Sequence, residues 1–162
     1  RDIGDEAVWS LSTAKPGNGV IQLREDDKDT YWQSDGAHPH MINIQFYKKM
    51  TITAVAFYVD YSVDESYCPK TISIRAGNTF HDLAEVTLVE MKEGGCEMNG
   101  WNRVALHAAG DGDAPLRAFD ACGGRQGRRG WLAFSAFCVV EMYQNGRDTH
   151  VRQLKIFGPR QP

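Results

Sequence analysis

The sequence predicts an all-β sandwich or barrel, and three observations carry that expectation. Apolar and polar residues alternate over several short runs. Gly, Pro, Asn and Asp punctuate the chain between those runs. No segment has a convincing 3.6-residue apolar period. The nearest, residues 20–28, has room for one or two helical turns.

The elements follow in order. Ala7-Val8-Trp9-Ser10-Leu11 is the first apolar cluster, and Lys15-Pro16-Gly17-Asn18-Gly19 is a loop. A charged stretch, 22–29, leads into Thr30-Tyr31-Trp32-Gln33-Ser34-Asp35-Gly36, where an aromatic pair abuts a turn. In residues 41–46, Ile42, Ile44 and Phe46 face one way while Asn43 and Gln45 face the other, as in a half-buried strand. Residues 51–61 repeat the pattern with Val55, Phe57, Val59 and Tyr61. Ile72, Ile74 and Ala76 alternate with Thr71, Ser73 and Arg75. Val86 and Leu88 alternate, less strictly, with Glu85, Thr87 and Val89. Trp101, Val104 and Leu106 mark a further short strand. The most apolar run is 131–142, and Leu154-Lys155-Ile156-Phe157 follows it. Asn145-Gly146 lies between the two, and both residues tolerate φ > 0, so a tight hairpin is expected.

One domain spanning residues 1–162 suits this length, with a core of ordinary size. The exception is a Gly- and Arg-rich stretch at 108–130, which reads as a long loop between two strands. Its arginines can touch an acidic partner surface or simply be solvated. A net charge of −3 argues against nucleic acid as the main partner. No apolar run reaches the roughly 18 residues that a membrane-spanning helix needs. Cys68, Cys96, Cys122 and Cys138 are widely and irregularly spaced, which argues against a zinc site and leaves free thiols or two disulfides. His38 and His40 lack a third ligand in the sequence pattern, so no metal and no cofactor are expected.

The expected tip between the last two strands is more polar than a turn requires. Arg147, Asp148, Thr149 and His150 place a fork donor, an anion, a hydroxyl and a titratable ring in four positions. Such a cluster on a rigid sheet is either a recognition loop or a solvated tip. Arg147 either meets a ligand or braces the loop through an inward ion pair. His150 either meets a ligand or holds the turn through one ring nitrogen.

These residues also carry a resemblance. Ala7-Val8-Trp9-Ser10-Leu11-Ser12, Lys15-Pro16-Gly17, Gln22-Leu23-Arg24, Tyr31-Trp32-Gln33-Ser34-Asp35-Gly36 and Asn43-Ile44-Gln45-Phe46 resemble the DOC-domain family. So do Asp64-Glu65-Ser66-Tyr67, Gly77-Asn78-Thr79-Phe80-His81 and Asn145-Gly146-Arg147-Asp148-Thr149-His150-Val151-Arg152-Gln153. The similarity is greatest to the DOC subunits of the anaphase-promoting complex. It covers most of the chain and departs from the family at 94–99 and 108–130.

The resemblance implies a galactose-binding-like jelly-roll β-sandwich. It implies a non-catalytic subunit of a multisubunit ubiquitin ligase, working in cell-cycle control within the nucleus and cytoplasm. The implied partners are other subunits of that complex, a WD40 coactivator and substrates bearing a destruction box. The implied degron-binding residues are Ser66, Asn145, Gly146, Arg147, Asp148, Thr149 and His150. Replacing Asn145, Asp148 and His150 together by Ala is expected to leave the fold intact and weaken degron capture.

Two alternatives remain within reach of the sequence. One is a DOC domain belonging to a larger ubiquitin-ligase chain. The other is a carbohydrate-binding jelly roll, with Trp9, Trp32, Trp101 and Trp131 as candidate sugar platforms, although each sits in or beside an apolar strand signal. An enzyme is disfavoured: no Gly-x-Ser-x-Gly or phosphate-loop motif occurs, and Cys138 lies inside an apolar strand signal.

Overall fold

A computed structural model describes residues 1–48, 50–77, 81–91, 99–106 and 134–160. The stretch 108–130, Trp131, Cys96 and Cys122 therefore lie outside the described residues. The strands are β1 (Ala7–Leu11), β2 (Trp32–Gln33), β3 (His40–Phe46), β4 (Ala54–Asp60), β5 (Pro69–Gly77), β6 (Ala84–Glu90), β7 (Asn99–Ala105), β8 (Phe134–Met142), β9 (His150–Val151) and β10 (Gln153–Phe157). Among the described residues, two short α-helices, α1 (Val20–Arg24) and α2 (Tyr61–Asp64), and three single 3-10 turns interrupt them.

The strands form an antiparallel five-stranded sheet, β1-β3-β8-β5-β6, and an antiparallel three-stranded sheet, β10-β4-β7. A two-stranded ribbon, β2-β9, completes the set. The core lies between the two larger sheets. Ile42, Ile44, Ile72, Ile74, Phe137 and Val139 from one face meet Val55, Phe57, Val59, Leu154 and Ile156 from the other. Phe57 and Phe137 pack edge to face across the layers, with ring centroids 5.3 Å apart. The alternation in 41–46 is thus the inner face of a sandwich, and the all-β class stands.

Four local expectations change. The expected hairpin between 131–142 and 154–157 does not form. β8 pairs with β3 and β5, whereas β10 pairs with β4 in the other sheet. The polar segment between them is a crossover that ties one layer to the other. Its left-handed residues are Gln144 and Asn145, with φ of 57° and 56°, while Gly146 has an ordinary φ of −59°. Tyr61 leaves the β4 alternation to begin α2.

The other changes concern facing. A bulge opposite Ile74 and Arg75 shifts the register of β6, so Val89 is buried and Leu88 is 51% exposed. Leu88→Ser is therefore expected to change unfolding free energy by less than about 0.5 kcal/mol in a denaturant titration. In β7, Asn102 is buried and Trp101 faces outward, while Leu106, just past the strand, is buried. Among the described cysteines, Cys68 and Cys138 are buried free thiols, and burial pushes the Cys68 thiol up to about 12.

Candidate functional site

The two polar motifs of the sequence are each other's partners. Strand β2 carries Trp32 and Gln33, which pair in register with Val151 and His150 of β9. Just beyond, the Ser34 Oγ donates to Asp148 Oδ1 at 3.0 Å and accepts the Thr149 amide at 2.9 Å. The Ser34 amide donates to the Thr149 carbonyl at 3.1 Å. The same Asp148 oxygen accepts the Gly36 amide at 3.4 Å. Trp32 is fully buried and anchors this ribbon through Nε1, which donates to the Thr13 carbonyl.

His150 is held on four sides. Its ring lies between Tyr31 and Tyr67, with centroids 4.2 and 4.1 Å away. Nδ1 donates to Asp64 Oδ1 at 3.0 Å, and Nε2 faces the Gln33 side-chain amide at 3.0 Å. Asp64, the last residue of α2, also accepts Arg152 Nε on Oδ2 at 3.0 Å and Arg152 Nη2 on Oδ1 at 2.8 Å. Burial alone would raise the Asp64 carboxyl. The hydrogen bonds from His150 and Arg152, with the guanidinium charge, outweigh burial and hold it below the ordinary carboxylate value. The same pair raises Arg152, chiefly through the hydrogen bonds to Asp64.

The loop after α2 and the crossover after β8 are interlocked at one end of the sandwich. The Thr149 Oγ1 donates to the Tyr67 carbonyl at 3.0 Å, and the Tyr143 amide donates to the Cys68 carbonyl at 3.1 Å. Tyr61 and Tyr143 pack edge to face, and the Gln144 amide reaches the Tyr61 hydroxyl. The Tyr143 hydroxyl donates to the Met91 carbonyl. Gly146 passes so close to the Ser66 carbonyl oxygen that a Cβ there would collide with it. Glycine is needed at 146 for close approach, not for its dihedral freedom.

The named candidates thus fall into two groups. Asn145 and Arg147 are exposed, and Ser66, Gly146 and Asp148 are half-buried. Thr149 is fully buried and His150 is 8% exposed, so both side chains serve the framework. Among the described residues no ion pair holds Arg147 inward; its carbonyl is tied inward instead, accepting from Nε2 of the buried His40 at 2.7 Å. Sequence reasoning missed Tyr31, Gln33, Ser34, Asp64 and Arg152 as the groups that shape the site. Two long polar motifs in a β protein were the available signal, since a Ser and a Gln without solvent must find partners.

Two clefts flank the interlock. One of about 610 Å³ is lined by His38, Lys70, Glu141, Gln144, Asn145 and Gly146 among others. The second, of about 370 Å³, is lined by Tyr31, Val63, Glu65, Ser66, Tyr67 and His150 among others. Among the described residues, no group of three or more His, Cys, Asp and Glu is placed to hold a metal ion. No helix among them is long and apolar enough to cross a membrane. Of the tryptophans, Trp9 lies beneath the Arg24 guanidinium, and Trp101 lies beneath the Lys155 ammonium, so a cation covers one face of each ring.

Solved structures with this fold include the family 32 carbohydrate-binding module of Clostridium perfringens NanJ in complex with galactose. It is 11% identical with a TM-score of 0.67, covering 94% of each chain. The module CpGH89CBM32-5, from the same organism, is 7% identical with a TM-score of 0.69, over 98% of this chain and 100% of its own. At such identities the likeness is one of fold, a galactose-binding-like jelly roll. The sequence relatives are more specific. The Homo sapiens anaphase-promoting complex subunit 10 is 45% identical over 159 residues, 98% of this chain and 75% of the relative. The Schizosaccharomyces pombe protein of the same name is 38% identical over 160 residues, 98% of this chain and 74% of the relative. The Saccharomyces cerevisiae anaphase-promoting complex subunit DOC1 is 29% identical over 153 residues, 94% of this chain and 54% of the relative. The family model for anaphase-promoting complex subunit 10 matches residues 1–162. The jelly roll, the paired polar motifs and this match over residues 1–162 together place the chain in the anaphase-promoting complex subunit 10 family.

Proposed function

We propose that this chain is a non-catalytic substrate-recognition subunit of the anaphase-promoting complex, acting with a WD40 coactivator as co-receptor for destruction-box degrons and promoting processive ubiquitination in the nucleus and cytoplasm. One observation supports this reading above the rest. Among the described residues, every non-glycine residue with positive φ lies in the two interlocked loops: Glu65, Gln144 and Asn145. Each such conformation costs of order 1–3 kcal/mol and persists only where the surroundings enforce it. Here three are enforced side by side, at the rims of two clefts, on residues whose side chains are exposed.

An extended peptide offers backbone amides and carbonyls. Asn145 both donates and accepts, and Arg147 donates from a fork. Each contact contributes about 0.5–1.5 kcal/mol, and ordering the peptide opposes them. Binding by this loop alone is therefore weak. If a coactivator holds the other half of the degron, the effective concentration reaches the order of millimolar, and modest contacts then lengthen residence.

The test uses exposed residues. Asp148 and His150 are hydrogen-bonded into the framework, so the Asn145, Asp148 and His150 triple variant confounds contact with folding. Asn145→Ala and Arg147→Ala are expected to leave stability within about 0.5 kcal/mol. Each should shorten substrate residence on the reconstituted ligase by about two- to twelvefold. Unchanged residence in both variants, with the fold intact, rejects the proposal.

A further inference from the structure

We infer that the smaller cleft, beside Ser66, is a specificity subsite for an aliphatic side chain of the peptide that crosses the interlock; the inference rests on the degron-binding reading above. The Gly146–Ser66 contact is the divider between the two clefts, since Gly146 lines one and Ser66 the other. Successive side chains of an extended peptide point to opposite sides. A peptide lying along the divider therefore sends one side chain toward Lys70, Glu141 and His38, and its neighbour toward Val63 and Tyr67.

The chemistry of the second side is settled by its satisfied floor. The Asp64 carboxylate there is fully occupied by His150 and Arg152, and it attracts no further cation. His150 is covered on both ring faces. The uncovered lining is mixed, and its apolar part is Val63, which is 66% exposed, and Tyr67, which is 39% exposed with one face of its ring against His150; Ser66 lies between the two clefts. Glu65, exposed at the same rim, repels an acidic occupant. An aliphatic side chain seated against Val63 and the free face of Tyr67 buries that apolar part and leaves Glu65 and Ser66 at the open rim.

The experiment uses the reconstituted ligase with its coactivator and degron peptides in which each position in turn is Leu or Ser. With the wild-type chain, one position on the half of the degron facing this subunit should favour Leu over Ser in residence by about four- to fifteenfold, the ratio for one to two buried methylene groups. Val63→Asp, a change at an exposed residue, should bring that ratio close to one. Asn145→Ala should shorten residence for both peptides and leave the ratio unchanged. A ratio that survives Val63→Asp, or the absence of any such position in the wild type, overturns the subsite while the Asn145 result stands. Wild-type residence in both Asn145→Ala and Arg147→Ala overturns the degron reading itself.

Discussion

Asp64→Ala is expected to destabilise the protein by about 3–5 kcal/mol, the usual consequence of removing one partner from a buried ion pair. The carboxylate and the Arg152 side chain are both nearly inaccessible, at 3% and 8% exposure. Without Asp64, the guanidinium keeps the Lys28 carbonyl and the face of Tyr31, and His150 loses the acceptor for Nδ1. The loss should therefore spread from α2 to the ribbon β2-β9. Denaturant unfolding measures the first effect, and amide exchange across 148–152 measures the second. A loss below about 1 kcal/mol would show that solvent replaces the carboxylate at little cost.

The pH dependence has a fixed sign. The folded-state pKa of Asp64 lies below the ordinary value of 3.8. Its contribution to stability is complete above that value and disappears as pH falls through the lower folded-state value. The stability gap between wild type and Asp64→Asn should thus stay constant just above the carboxylate range and narrow as pH falls from about 4 towards 2. A gap that widens on acidification contradicts the assignment.

The second large effect is expected from Gly146→Ala. The added Cβ collides with the backbone oxygen of Ser66, and neither side is a flexible side chain that can swing away. Overpacking of this kind costs about 1–3 kcal/mol where the structure can shift. The shift available here separates the two loops, because Gly146 is also held by its amide to the Tyr143 carbonyl. Substrate residence should fall more than in Asn145→Ala, although no contact side chain is removed. Residence and stability equal to wild type would show that the loops do not depend on their close crossing.

Parts of this architecture were legible in the chain. Ile42, Ile44 and Phe46 announced a half-buried strand because period-two alternation is a local property. The bulge that buries Val89 instead of Leu88 was not, since one extra residue reverses facing without altering composition. The hairpin expectation failed for a related reason. Adjacent strands with a turn signal usually pair, but β8 finds β3 and β5, and β10 finds β4. The polar residues of the site were visible as types. Their division into exposed side chains and buried framework was not, because Ser34 and Asp148 are 114 positions apart, and nothing periodic joins them.

The pairing of the first and last described segments has a practical side. The Arg1 amino group donates to the Gly158 carbonyl, and Asp2 bridges to Phe157, at the finish of β10. That strand runs away from the interlocked loops for five residues, about 17 Å. Arg1 and Gly158 therefore meet at the far end of β10 from the interlocked loops, so a fluorophore on a residue beside this contact reports on the sandwich without touching the Gly146–Ser66 crossing.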